Sequence, residues 1–112
     1  MKIPKDGKLL RIFIGEQDQW QGKPLYEAIV HLAKEKKMAG ATALKGFLGF
    51  GAKSHMHTAK ILRLSEDLPI VVEMVDSEER IREFLPLLDE MVKEGLITLE
   101  KVDVILYRSG KP

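Results

Sequence analysis

The chain has no cysteine among its 112 residues. Disulfide bonds, thiolate catalysis and cysteine-ligated zinc sites are therefore excluded, which fits a reducing compartment. Long apolar runs are also missing. No stretch approaches the roughly 20 residues that span a bilayer, and residues 1–7 lack the apolar segment of a secretory signal. We therefore expect a cytoplasmic protein that does not insert directly into a membrane.

Neither basic nor acidic residues are in marked excess. Eighteen lysine and arginine residues stand against 17 acidic residues, which leaves a net charge of +1. No global field then attracts nucleic acid or an anionic membrane, so we expect no nucleic-acid partner. What the chain does have is 45% apolar residues, which is enough for one core at this length. We expect a single domain over residues 1–112.

The first half of the chain predicts a strand, a helix and a second strand. The run over 8–15 is rich in β-branched and aromatic residues and stops at a glycine, which is typical of a strand. Apolar residues that recur at i, i+4, i+7 and i+8 after Pro24 predict a helix over 24–38. The mixture of small and aromatic residues over 41–51 follows a strand pattern.

The second half repeats this order. An apolar run predicts a strand over 68–75, and Asp76 with Glu79 resembles a capping box that opens a second helix, which ends at Gly95. A last strand is predicted over 102–107. About sixteen residues separate the two central strands, and a connection of that length in a compact domain is usually functional or mobile.

The predicted order is β-α-β-β-α-β, which is an α+β arrangement. Each half needs a crossover onto a parallel neighbour, and the right-handed rule then favours a ferredoxin-like sandwich with a four-stranded antiparallel sheet. Both helices would lie on one face of that sheet and leave the other face uncovered. Because an open monomer would expose this apolar face, we expect the chain to self-associate.

The densest group of candidate site residues is the glycine-rich stretch 45–57. Its segment 46–51 departs from a P-loop, because that motif needs its lysine directly after the second glycine and here Ala52 intervenes before Lys53. The glycines still permit backbone N–H groups to approach an anion, and Lys53 adds positive charge. Alternatively, the same glycines form bulges in a twisted hairpin. The residues alone leave both interpretations open.

Two histidines follow the glycines. His55 and His57 stand at i and i+2, on the same side of an extended segment, which can suit Zn or Cu. Two imidazoles make an incomplete site, and no cysteine or nearby acidic residue in the loop completes it. We therefore expect no tight metal site here. Spacing indicates no catalytic constellation either, so we do not expect an enzyme.

The whole chain resembles the PII-like superfamily, and more narrowly the uncharacterised bacterial family of short PII-like signalling proteins. The resemblance covers nearly all of residues 8–111, and its motifs occur in the correct order. They are Lys45-Gly46-Phe47, Gly49, Lys53-Ser54-His55 where the long loop of the family begins, Leu68-Pro69, and the ending Arg108-Ser109-Gly110.

This resemblance implies a PII-like trimer that binds ATP or ADP in the clefts between its subunits, as an effector and without a required cofactor. The long loop, here 52–67, would change shape with the ligand and engage a protein partner such as a membrane transporter or an enzyme. The turn that PII proteins place opposite the phosphates corresponds to residues 98–101. The implied nucleotide-binding residues are Gly46, Phe47, Gly49, Gly51, Lys53, Lys101 and Arg108.

Two other functions stay open. CutA proteins share the trimeric architecture, and a protein of that kind would bind a divalent metal here through His55 and His57. The third possibility is an enzyme whose active site lies at the subunit cleft.

Zinc titration tests the metal alternative. Because two imidazoles leave Zn²⁺ at least one protein ligand short of a usual site, we expect calorimetry to give an affinity weaker than micromolar. A sub-micromolar affinity that disappears in the His55→Ala, His57→Ala double variant, but not in the control His31→Ala, would favour the CutA-like function instead.

Overall fold

The computed structural model describes residues 5–51 and 67–110. Lys53, His55 and His57 lie outside these ranges, as does all of the predicted loop except Asp67. The elements within them are β1 (Asp6–Gly15), β2 (Gln19–Trp20), β3 (Lys23–Pro24), α1 (Leu25–Glu35), β4 (Thr42–Lys45), β5 (Pro69–Asp76), α2 (Glu78–Met91) and β6 (Leu96–Asp103).

Four strands form one antiparallel sheet in the order β4-β5-β1-β6, and β2 pairs with β3 in a small hairpin. The predicted α+β class, with a four-stranded antiparallel sheet and two helices, is confirmed. The expected crossover onto a parallel neighbour is wrong. β1 and β4 run in the same direction, but β5 lies between them and pairs with both, so that every hydrogen-bonded neighbour is antiparallel.

Both helices cover the same face of the sheet. Every second residue is buried in β5 and, from Leu10 to Ile14, in β1, as the two-residue period of a strand requires. These side chains join those of both helices in one cluster, so a single core lies between the sheet and the helix layer. Its members are Leu10, Ile12, Ile14, Leu25, Ile29, Ala33, Ile70, Val72, Met74, Ile81, Phe84, Leu88 and Met91.

The last strand lies earlier in the chain than predicted. β6 covers Leu96–Asp103 instead of residues 102–107, and residues 98–101, expected as a turn, are paired with β1. The segment 96–107 is rich in strand-forming residues almost throughout, so its composition does not show where pairing stops. It stops at Asp103 because that residue pairs with Asp6, the first residue of β1.

The helix ends differ from the predictions in smaller ways. Pro24 occupies the N-cap of α1 instead of its first turn, and α1 ends at Glu35. Ser77, and not Asp76, caps α2, because its hydroxyl accepts a hydrogen bond from the N–H of Arg80 at 3.3 Å. Neither of the two helices in the described ranges is long and apolar enough to cross a membrane.

Asp76 is the one buried charged side chain within residues 5–51 and 67–110, with 1% of its surface exposed. Its Oδ1 accepts from the N–H of Ser77 at 2.7 Å, and its Oδ2 accepts from the N–H of Ala39 at 2.9 Å. Arg80 Nε lies 3.4 Å from Oδ2, and Nη2 of the same arginine donates to the carbonyl of Lys36 at 3.0 Å. One carboxylate therefore joins the end of β5, the first turn of α2 and the connection after α1.

Replacing Asp76 with alanine tests whether its carboxylate joins these three elements. The Asp76→Ala variant leaves two backbone N–H groups and Nε of Arg80 without their acceptor, so we expect the free energy of unfolding to fall by about 2–4 kcal/mol. Chemical denaturation at neutral pH measures the change. Asp89→Ala, at an exposed position of the same helix, should change it by less than about 0.5 kcal/mol. Equal losses in the two variants would show that Asp76 does not join these elements.

Candidate functional site

Within the described ranges, no helix or strand covers the face of the sheet opposite the helices, which we call the open face. Directly paired residues of neighbouring strands point to the same face, so the pairings define rows across the sheet. One row is apolar across all four strands, and the next row contains an arginine and a glutamate. The first row is Leu44, Val71, Phe13 and Leu96, and the second is Thr42, Glu73, Arg11 and Thr98. The expected apolar face is present.

Arg11 lies in the middle of the open face between two carboxylates. Its Nε donates to Glu73 Oε2 at 2.9 Å, and its Nη1 donates to Glu100 Oε1 at 2.5 Å. The hydrogen bond to Glu73 raises the pKa of the Arg11 guanidinium above its ordinary value. Because Glu73 belongs to β5 and Glu100 to β6, this arginine ties together three strands and fixes the position of Glu73.

A cavity of about 550 Å³ lies at one end of the open face. Its walls are Thr42 of β4, Glu73 and Val75 of β5, the connection 39–41 and the segment 104–107 that follows β6. This volume falls within the range of small-molecule sites, which are mostly apolar with a few polar groups. Here the carboxylate of Glu73 and the hydroxyl of Thr42 are such groups. The arrangement can hold a flat apolar ring that donates a hydrogen bond.

The outer wall of the cavity is the segment 104–107, which we call the strap. The N–H of Val104 donates to the carbonyl of Lys5 at 2.8 Å, and the hydroxyl of Tyr107 donates to the carbonyl of Ala39 at 2.8 Å. Gly7 permits the close passage of the strap, because a Cβ atom there would lie 2.9 Å from Cγ2 of Val104. The strap is thus held at both of its ends.

The glycine-rich segment 46–51 lies at the opposite end of β4. The N–H of Gly46 donates to the carbonyl of Pro69 at 2.8 Å. A Cβ atom at Gly46 or Gly49 would approach Cγ of Pro69 to 3.0 or 3.1 Å, and Gly49 has a φ of 153°. These two glycines therefore let the chain pass closely over Pro69. Within residues 5–51 and 67–110, the segment 46–51 belongs to no strand.

A second cavity, of about 360 Å³, adjoins this segment at Phe50 and Gly51, but its charge is negative. Asp18, Asp67 and Glu94 line it. Asp67 accepts from the N–H of Gln17 at 2.9 Å and Asp18 accepts from the N–H of Gly15 at 2.9 Å, so both aspartates fix the turn after β1. Three carboxylates disfavour a phosphate at this position.

The described residues of the predicted nucleotide site do not meet within one chain. The glycines follow β4 near the row that contains Gly15 and Pro69, whereas Lys101 pairs with Lys8 in the row of Asp76. These rows are seven positions apart along β1, which is about 23 Å at roughly 3.3 Å per residue. Phe47 is 92% exposed, and Arg108 directly follows the strap. A ligand could contact the glycines and Lys101 together only where two chains meet.

The sequence prediction missed Glu73 and Tyr107. Arg11 and Glu73 each interrupt an otherwise apolar strand, and this was a signal that the two face each other across β1 and β5. No comparable signal marks Tyr107, because its role depends on the strap folding back to Ala39. Within residues 5–51 and 67–110, no group of three or more metal-ligating side chains is close enough to hold a metal ion.

Comparison with known proteins gives the family. Residues 7–104 match the family DUF190, whose description is "Uncharacterized ACR, COG1993". A UPF0166 protein of Aquifex aeolicus is 43% identical over 108 residues, which cover 94% of this chain and 98% of that protein. A UPF0166 protein of Methanocaldococcus jannaschii is 39% identical over 93 residues, which cover 82% and 85% of the two chains. The chain therefore belongs to the DUF190 family.

Proposed function

We propose that this protein is a non-enzymatic, cytoplasmic signalling protein of the PII-like kind. In this proposal three ferredoxin-like subunits form a homotrimer, bind ATP or ADP in the clefts between them, and report through the loop 52–67 to a protein partner such as a membrane transporter. The observation that carries the proposal is the cavity of about 550 Å³ between the open face and the strap, with the cation of Arg108 next in the chain.

The strand order supports the ferredoxin-like part of the proposal. β1 and β4 flank β5, and β5 and β6 flank β1, so each helix connects two strands that run in the same direction with one strand between them. Two such split β-α-β units are what a ferredoxin-like domain contains.

The exposed apolar side chains support the trimer. They lie at two different edges of the sheet, one beside β4 and one beside β6. The β4 edge carries Leu44, Phe47, Leu48 and Phe50, and the β6 edge carries Leu96 and Ile97. Contact between two unlike surfaces is heterologous, and such contacts build a closed ring when the rotation between subunits closes. A ring of three would cover both edges of every subunit.

The cavity supports a nucleobase as the buried part of the ligand. Its walls are mostly aliphatic, and Arg11 holds the carboxylate of Glu73 where it can accept a hydrogen bond from an amino group of the base. The phosphates would then extend along β4, the outer strand of the described sheet, towards the backbone N–H groups of 46–51. The negative cavity beside Asp67 adjoins the far end of this path at Phe50 and Gly51, so the phosphates would contact the N–H groups nearer β4.

The charges needed for the phosphates come from two chains in this proposal. Opposing several phosphate charges in a partly dehydrated cleft requires more than one cation. Arg108 follows the strap of the same chain, whereas Lys101 stands on β6, the edge that would face the β4 edge of a neighbour. The ligand can bias the loop 52–67 as far as it binds one loop conformation more tightly than another.

Calorimetry with ATP, ADP and AMP tests nucleotide binding. We expect the Lys101→Ala and Arg108→Ala variants each to weaken ATP or ADP binding by roughly 1.5–3 kcal/mol, the size of a hydrogen bond to a charged group. Lys34→Ala, an exposed lysine of α1, is the control and should bind as the parent does.

A glycine variant completes this test. Gly49 is unsuitable, because its positive φ would strain any side chain placed there. Gly51→Val is the cleaner change, since a Cβ atom there meets nothing within 4 Å among the described residues. It should weaken binding by blocking the close approach of the ligand. Undetectable binding by the parent, or unchanged affinity in all three folded variants, would contradict the proposal.

A further inference from the structure

The strap has few contacts for a segment that closes a cavity of this size. Ile105 is 88% exposed and Leu106 is 63% exposed, so little apolar surface holds the middle of the strap down. Its far end depends on the hydroxyl of Tyr107, which is itself partly exposed. Segments with few buried apolar contacts and solvent-exposed hydrogen bonds open locally at low cost.

We propose that the strap is the gate of the 550 Å³ cavity and that the hydrogen bond from Tyr107 to Ala39 is its latch. The inference rests on the proposed function for the identity of the ligand, which would be an adenine nucleotide. The gate itself follows from contacts within the chain.

The two ends of the strap have different roles. Val104 is fixed, because it packs against Gly7 and donates to the carbonyl of Lys5 directly after the last paired residue, Asp103. This end is the hinge. Beyond it, residues 105–107 pair with no strand in the part of the chain that the structure describes, so they can swing away once the latch is released.

The latch closes on a rigid point. Ala39 accepts from Tyr107 through its carbonyl, and its N–H donates to the buried carboxylate of Asp76 at 2.9 Å. The connection that carries Ala39 is therefore anchored to the core, and opening moves the strap away from it. Because Arg108 directly follows the latch, the same motion would withdraw a cation from the ligand and open its path out of the cavity.

A thiol placed on the cavity floor reports this opening. The chain has no cysteine, so Val75→Cys creates one reactive site, which lies beneath the strap. In this background Tyr107→Phe keeps the ring and removes the latch hydroxyl. Loss of one neutral hydrogen bond should make opening, and hence the rate of reaction with a bulky maleimide, about three- to tenfold faster. The control is Tyr26→Phe, which changes the other tyrosine, on α1, and should leave the rate unchanged.

The maleimide labelling rates test whether the strap is a gate, and this test needs no ligand. An unchanged rate in Tyr107→Phe would overturn the latch, and equal acceleration in both tyrosine variants would overturn it too, since it would indicate general loosening.

Adding ADP separates the gate from the proposed function. Saturating ADP should slow the labelling of Val75→Cys, and ADP should dissociate about three- to tenfold faster from Tyr107→Phe than from the parent. If ADP has no effect on labelling, the nucleotide proposal fails, while the thiol rates still decide whether the strap opens at Tyr107. If ADP binds and protects but dissociates equally fast from both proteins, the strap does not gate the ligand.

Discussion

The buried carboxylate of Asp76 is the constraint on which both the helix layer and the cavity depend. It accepts hydrogen bonds from Ser77 and from Ala39, two residues that are far apart in sequence. The first bond sets where α2 begins. The second fixes the connection that enters β4, which is also the wall of the cavity that receives Tyr107. A buried charge is stable only when it is hydrogen-bonded or paired, so both of these bonds stabilise the buried carboxylate.

The open face results from the number of layers. Two helices cover one side of a four-stranded sheet, and apolar side chains lie on both sides of it. On the open side Arg11 separates two carboxylates that would otherwise repel each other, and it positions Glu73 at the cavity. The open face and the two unlike apolar edges are the observations from which we propose neighbouring copies.

The order and type of the main elements could be predicted from the sequence, because the spacing of apolar residues in strands and helices can be read from one sequence. The two-residue period of β5 and the helical spacing of Ile81, Phe84 and Leu88 identify their buried faces correctly. The end of β6 could not be predicted, since strand-forming residues continue past Asp103 and the end of pairing is set by where β1 begins. The observed N-cap of α2 is Ser77, one residue after the predicted Asp76, because the buried carboxylate of Asp76 accepts from the N–H groups of Ser77 and Ala39.

Less of the candidate site could be predicted. The glycines and cations carry a resemblance to PII-like proteins, but their placement at opposite ends of the sheet depends on strand register. The cavity depends on a tail that folds back over Gly7, and no residue pattern marks that path. Residue types therefore carry only the resemblance, whereas the place of the cavity depends on the tertiary structure.

The claim that the site is completed by neighbouring copies is tested most directly by the mass of the protein in solution. Multi-angle light scattering at micromolar concentration should give three times the 12.7 kDa of one chain. A mass of 12.7 kDa that persists as the concentration rises would contradict the account, because a single chain keeps its glycines and Lys101 at opposite ends of the sheet.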